Sequence, residues 1–396
     1  MSASNIFVVA AKRTPFGSFG GALSKLSATD LGVAASQACL ANVSPQLVDS
    51  VLFGNVIQSS SDAAYLARHV GLKSGVPIAT PCLTVNRLCG SGLETVILAQ
   101  QEIQLSLSQI VLAGGTENMS QAPLQVNGID ARWGVGLGVG MNLRDSLWDG
   151  LSDSGLPMGM TAENLAQKYG ISREECDAYA LRSQQLWGKA QEAGVFEAEM
   201  APIEIKHKKK GTLVVDTDEH PRPTTTLEQM AKLKPVFDPT NGVVTAANAS
   251  GICDGAGAVL VASEQAVQEH QLQPLARIVS TAVVGCDPKI MGIGPVPAIQ
   301  MVLQKAQLDL KDVDRIEINE AFAAQVLACA KELNIDMDKL NLHGGGISLG
   351  HPLGASGSRI LAHLAHEFAA KPENKYHLAS ACIGGGQGIA VLLERV

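Results

Sequence analysis

The chain has 396 residues, 46% of them hydrophobic and 17% charged, with 40 glycines and a formal net charge of −8 at pH 7. That length exceeds one ordinary core and implies two or three domains, while the acidic balance argues against non-specific nucleic-acid binding. No apolar run approaches the ~18 residues needed to cross a bilayer, and eight cysteines without a C-x-x-C pair read as reduced intracellular thiols, neither a disulfide framework nor a metal site.

In chain order, the first 29 residues lack Asp and Glu but contain Lys12, Arg13 and Lys25, a pattern weakly compatible with a mitochondrial address. Ile6 to Ala10 reads better as the first strand of the fold. Val51-Leu52-Phe53-Gly54-Asn55 is a strand running into a polar loop. In Val85-Asn86-Arg87-Leu88-Cys89-Gly90-Ser91-Gly92-Leu93, a strand-like stretch ends at Cys89 and a helix begins just after, with Leu93, Val96, Ile97 and Ile103 on one face. That position sets the thiol at a helix N-terminus, where free N–H groups and the macrodipole favour a thiolate. Ile110 to Gly115 forms the next strand.

Residues 121–247 differ in character and read as an insert. Its glycines, Gly134, Gly136, Gly138 and Gly140, lack a preceding strand and the G-x-G-x-x-G spacing, so they are no dinucleotide fingerprint. A helical stretch runs from Thr161 through Gln191. Ile203 to Val215 then reads as a hairpin whose basic turn, Lys206 to Lys210, steers anions or is a solvated turn.

The second half repeats the first. Arg315 to Asn319 takes the place of the Val51 strand, Gly350 to Gly357 precedes a helix carrying Ile360, Leu361 and Leu364, and Leu378 to Gly386 is an apolar strand entering glycines. The order and rough spacing predict two similar α/β halves, 1–120 with 248–270 and 271–396, around the insert at 121–247. Four polar residues fall at corresponding strand ends: Cys89, Asn319, His351 and Cys382. Ligands of doubly wound sheets bind beyond the carboxyl ends of the strands, so these loops are expected to meet. A cysteine with a nearby histidine suits an activated thiol nucleophile. A second thiol of pKa near 8.5 suits a general acid/base at a carbon acid, and the glycines after Cys382 can aim N–H groups at an oxyanion.

The same residues carry a resemblance to the thiolase family over the whole chain. The matching motifs are Asn86-Arg-Leu-Cys89-Gly-Ser-Gly, Asn319-Glu-Ala-Phe322, Gly350-His351-Pro352-Leu-Gly-Ala-Ser-Gly357 and Cys382-Ile-Gly384-Gly-Gly-Gln-Gly388, with Met158 to Asn164 and Asn248-Ala-Ser250-Gly251. Within the family, Phe7 to Gly17 and Met291 to Pro297 are similar to the 3-ketoacyl-CoA branch. The resemblance implies a layered αβαβα core and an acyltransferase whose Cys89 is acylated, with His351 as its base and Cys382 as acid/base on the acetyl-CoA carbanion. It places Asn319, through a held water, with His351 in one oxyanion hole and the N–H groups of Cys89 and Gly384 in the other. It assigns coenzyme A, a co-substrate and not a permanent cofactor, to Arg222, Thr225 and Ser250, with no metal. It further implies acyl-CoA as partner, no nucleic acid or membrane, and a homodimer or a homotetramer built through 121–145. The mitochondrial matrix is the expected location in a eukaryote and the cytoplasm in a bacterium.

Two departures stand out. Pro157 replaces a histidine usual in the acetoacetyl-CoA branch and favours the 3-ketoacyl-CoA one. His343 replaces an asparagine, and a structural role is expected for it. A non-catalytic relative that only binds acyl-CoA or lipid is expected to have lost Cys89, His351 or Cys382, and all three are here.

Overall fold

A computed structural model describes residues 5–148, 155–207 and 211–396. Lys208, Lys209 and Lys210 of the basic turn lie outside them. The principal elements of the first half are β1 (Ile6–Arg13), α1 (Ala28–Cys39), β2 (Ser50–Gly54), α2 (Leu66–Lys73), β3 (Cys82–Val85), α3 (Ser91–Gln104) and β4 (Ile110–Asn118). The insert contributes α4 (Met158–Tyr169) and α5 (Arg173–Glu192), followed by an antiparallel hairpin of Ile203–His207 and Gly211–Val215. Then come β5 (Cys253–Ser263), β6 (Ala276–Gly285), α6 (Pro295–Ala306), β7 (Arg315–Ile318), α7 (Ala323–Leu333), α8 (Leu353–Ala370), β8 (Tyr376–Ile383) and β9 (Gln387–Glu394).

The duplication read from the sequence is present in the strand pairing. In the first half β2 and β4 run parallel, β4 pairs antiparallel with β5, and β5 pairs antiparallel with β1. In the second, β7 and β8 run parallel, β8 pairs antiparallel with β9, and β9 with β6. Even the parallel β3 beside β2 has a counterpart, a single parallel bridge between Ile316 and Leu340. The halves join where β1 meets β6 through Phe7↔Arg277 and Val8↔Ala276, giving the sheet order β7-β8-β9-β6-β1-β5-β4-β2-β3.

Strands β4 and β5 are buried at every position. Both faces of the sheet are covered, so these strands read as unbroken apolar and small-residue runs without alternation. One core packs α1 and α2 on the outer face of the first half, and another packs α6, α7 and the insert's α4 and α5 on the outer face of the second. Between the halves, α3 and α8 share a third core with strands of both, including Val111, Val259, Ala379 and Val391. That is the αβαβα layering. The two central helices touch backbone to backbone: a Cβ on Gly92 would lie 2.5 Å from the Ser358 nitrogen, and one on Gly357 2.4 Å from the Leu93 nitrogen.

Two local readings change. The helix expected over Thr161–Gln191 is two helices, because Gly170 ends α4 in the left-handed region (φ 58°) and Ser172 caps α5 in a capping box with Glu175. The strand expected to end at Cys89 stops at Val85, and Asn86–Gly90 form a turn with Leu88 at φ 46°.

Candidate active site

Cys89 stands in the turn between β3 and α3, and that turn is tied down on every side. The Asn86 amide donates to the Val56 carbonyl at 3.1 Å, and its oxygen accepts from the Leu88 N–H at 3.0 Å. Arg87 donates to Glu94 and, across the molecule, to Gln387 at the start of β9. Gly90 packs against the Ile383 side chain, so the Cys89 turn of one half lies against the end of β8 in the other. The backbone N–H groups of Gly384 and of Cys89 itself favour the charged form of the Cys89 sulfur. A side chain at Gly384 would sit 2.9 Å from the Leu88 side chain and 3.1 Å from that of Met158, so it would crowd the wall beside Cys89.

The expectation that the helix start favours a thiolate is corrected by burial. Loss of solvent, with the Glu117 carboxylate adding to it, pushes the Cys89 thiol up to about 11 despite the two N–H donors. The resting nucleophile is a thiol and needs a base. His351 can supply one, since burial, with the Arg359 charge behind it, pushes its pKa down to about 3 and keeps the ring neutral. Its Nδ1 is 2.5 Å from the Ser356 hydroxyl, which donates to the Pro352 carbonyl at 3.0 Å. With that assignment Nδ1 carries the proton and Nε2 is the acceptor, 3.2 Å from the Asn319 amide nitrogen. Asn319 follows β7, is fully buried, and its side-chain oxygen has no protein partner.

Cys382 sits next to last in β8, opposite Gly388 of β9. It is wholly buried with Met291 and Ala321, and burial, followed by the neighbouring Cys89, holds its thiol well above the ordinary range. Cys89, His351 and Gly384 line a cavity of about 170 Å³ whose other walls include Leu88, Met119, Met158, Ser250, Met291 and Phe322. Cys382 lies just behind this wall, since Met158, Met291, Ala321 and Phe322 both pack on it and face the cavity.

Arg222 and Thr225 are not in this cavity. They line a second one of about 220 Å³ with Gln184, His220, Ala246 and Ala247. The Arg222 guanidinium donates to the carbonyls of Glu219, His220 and Pro221 through one nitrogen. Ser250 lines the first cavity, and the segment 246–252 runs from one to the other. His220, in the wall of the second cavity, lies against Gly251 in the wall of the first.

Both halves of the chain match family descriptions, "Thiolase, N-terminal domain" over residues 6–265 and "Thiolase, C-terminal domain" over 272–395. The chain belongs to the thiolase family. It is 59% identical to the mitochondrial 3-ketoacyl-CoA thiolase of Homo sapiens over 98% of both chains, and 48% identical to the acetyl-CoA acetyltransferase of Escherichia coli (strain K12) over 99% of both. The crystal structure of human mitochondrial 3-ketoacyl-CoA thiolase superposes with a TM-score of 0.97 at 58% identity, covering all of both chains. Its complex with CoA superposes with a TM-score of 0.96, covering all of this chain and 98% of that one.

Sequence reasoning missed Glu117, Ser356 and Arg359. The last two sit inside a helix that reads as core. Glu117 left one signal, a carboxylate between Thr116 and Asn118 at the polar end of β4. His343 has the structural place expected of it: its Nδ1 is 2.9 Å from Nε2 of His363, away from the cavity. His343, His363 and Glu367 bring three ligand atoms within 4.8 Å of one another, yet the carboxylate is already held by Arg315.

Proposed function

We infer that this chain is a thiolase that cleaves 3-ketoacyl-CoA with coenzyme A to acetyl-CoA and a shortened acyl-CoA, by way of an acyl-Cys89 intermediate. The observation that carries the reading is the shared cavity: Cys89, His351 and Gly384 line one mainly apolar pocket. His351 takes the Cys89 proton as sulfur attacks the 3-keto carbon. The resulting oxyanion is met by backbone N–H groups of Cys89 and Gly384. The C2–C3 bond then breaks, its electron pair passes to the acetyl-CoA carbon acid, and Cys382 protonates it. Asn319, whose orphaned oxygen is suited to holding a water, and His351 stabilise the thioester enolate in that step. Free coenzyme A next takes the acyl group from Cys89. Read backwards, the sequence is Claisen condensation, the direction that joins two acetyl-CoA units into acetoacetyl-CoA.

Coenzyme A fits a path from Arg222 and Thr225 past Ser250 to Cys89, because segment 246–252 links the two cavities. The CoA complex of the human relative supports this co-substrate. Arg222→Ala is expected to raise the CoA KM roughly ten- to a hundredfold, the loss of one charge-assisted contact, and an unchanged KM refutes the path. Residues 121–247 serve as the insert for CoA binding and subunit contact. Leu124, Ile129, Trp133, Leu137 and Leu143 are exposed along it, which supports a homodimer paired into a tetramer through 121–145, and sedimentation velocity reads this directly. Among the described residues no helix is long and apolar enough to span a membrane. The mitochondrial relatives support the matrix as location if the source is a eukaryote.

The central test is incubation with acetyl-CoA followed by mass spectrometry of peptides. An acetyl group on Cys89 is expected, and label on another cysteine alone removes the mechanism. Within the family, thiolysis rates against acyl chain length separate the branches. The methionine-rich cavity gains roughly 0.8 kcal/mol per buried methylene, about fourfold each in kcat/KM. Rejection of every chain longer than acetoacetyl-CoA places the enzyme among the acetyl-CoA acetyltransferases instead.

A further inference from the structure

Glu117 has no part in the reaction described above, yet its carboxylate is fully buried and holds two sides of the site together. It ends β4 beside Cys89. Oε1 accepts from the Asn55 side chain and the Ile57 N–H, each at 3.0 Å. Oε2 accepts from the Val56 N–H at 3.1 Å and from the Gly354 N–H at 3.0 Å. Three of these donors belong to the loop after β2, in the first half. The fourth belongs to the second half, 237 residues away in sequence.

Gly354 is the second residue of α8, the position whose N–H a capping side chain ordinarily satisfies. Here the N-cap residue is Pro352, which makes no side-chain cap. Pro352 directly follows His351. A carboxylate from the other half therefore supplies the missing cap, and a negative charge there is favoured by the helix macrodipole. A side chain on Gly354 would approach the Glu117 carboxylate to 3.1 Å and the Thr116 and Gly54 carbonyls to 2.8 and 2.9 Å, so the fit admits only glycine.

We propose that Glu117 is a positioning residue for acylation, capping α8 across the two halves so that His351 is held in register with the Cys89 thiol. The proposal rests on the thiolase reading. Its second consequence is electrostatic. The titratable groups that face Glu117 are Cys89 and, from β5, Asp254. Burial, with Asp254 adding, pushes Glu117 itself up to about 7 against its backbone donors. When ionised, Glu117 opposes the Cys89 thiolate, so the site is organised to form thiolate only when His351 accepts the proton.

The test pairs two variants and two readouts. Glu117→Gln keeps the shape and removes the charge. Its kcat for thiolysis is expected to fall roughly a hundredfold, as for a misplaced catalytic group, with the CoA KM within about threefold of wild type. Alkylation of Cys89 by iodoacetamide is expected to move the opposite way, its pH midpoint falling by about one pH unit as a like charge is lost. Glu117→Asp keeps the charge but withdraws the carboxylate, so kcat should fall while the alkylation midpoint stays. A merely structural residue would lower Tm without parting the two readouts. Wild-type kcat in Glu117→Gln overturns the proposal, as does an unmoved alkylation midpoint. If that variant fails to fold, wild-type kcat in Glu117→Asp overturns it equally. Wild-type protein that cleaves no 3-ketoacyl-CoA sinks the thiolase reading, whereas an active wild type matched by its variants sinks only the role of Glu117.

Discussion

A half-buried thiol and a buried one, in different surroundings, face a division of labour at the level of single residues. Cys89 lines the cavity, while Cys382 is buried behind Met158 and Met291. The Cys382→Ser variant is therefore expected to keep acyl transfer from acetyl-CoA onto Cys89 while losing α-proton exchange and overall turnover by roughly a hundredfold or more, the scale of general acid–base catalysis. Deuterium exchange at the acetyl methyl group, measured beside acetyl-Cys89 formation, checks this. Equal loss of both would mean that the thiols act as one unit. The residues proposed to carry the chemistry stand out in sequence, since Cys89, His351 and Cys382 each sit in a short glycine-rich run, and the structure brings Cys89 and His351 to one cavity with Cys382 behind it. What burial does to them was not: the Cys89 thiol rises where its helix-start position alone predicts a fall. Glu117 was illegible for another reason, because its decisive partner, Gly354, lies in the opposite half.

Helix α3 follows Cys89 and helix α8 follows His351, so the contact between these two elements sets the distance between the proposed nucleophile and its proposed base. Their backbones meet at Gly92 and Gly357 with no room for a methyl group. Gly92→Ala is expected to destabilise the protein by about 1–3 kcal/mol through overpacking. It should also depress kcat disproportionately, because displacement near 1 Å at a catalytic pair is worth on the order of a hundredfold. A Gly92→Ala enzyme that loses stability but keeps its kcat would show that the helices can part without moving the site. The elements themselves were legible where they were long and apolar. The break between α4 and α5 was not, since Gly170 and Ser172 interrupt a run whose apolar spacing continues through them.

Across the whole molecule a buried charge chain ties the insert to both halves. Arg13 on β1 pairs with Glu199 at 2.5 Å and Asp218 at 2.6 Å, and Glu199 pairs with His363 on α8 at 2.7 Å. Burial opposes charge on Arg13, Glu199 and His363. Even so, His363 and Arg13 hold the Glu199 pKa down to about 2, and Glu199 lifts His363 to about 9. The Glu199 contribution is present above its unfolded pKa of 4.5 and lost as pH falls toward 2. That of His363 is present below 6.5 and lost as pH rises through about 9. Stability from this chain should therefore be greatest between pH 4.5 and 6.5. Glu199→Gln, which leaves Arg13 with Asp218 alone and takes the hydrogen-bonded carboxylate from His363, is expected to lower stability there by about 3–5 kcal/mol and to flatten the decline in Tm between pH 6.5 and 9. A parallel, merely lowered Tm curve would assign that decline to other groups.

The first strand of the chain is also the strand that joins the halves, and this has a consequence for synthesis on the ribosome. Among the described residues, the strands that pair with β1 are β5 and β6, which begin at Cys253 and Ala276, and its last residue, Arg13, also bridges to Met200. At about 5–20 residues per second, roughly 12–48 s of translation separate β1 from the start of β5. Throughout that interval an apolar strand with two open edges has emerged and cannot pair natively, which is the state in which nascent chains aggregate or recruit chaperones. Ribosome-bound chains stalled before residue 253 should therefore leave β1 open to protease, and chains released past residue 285 should protect it.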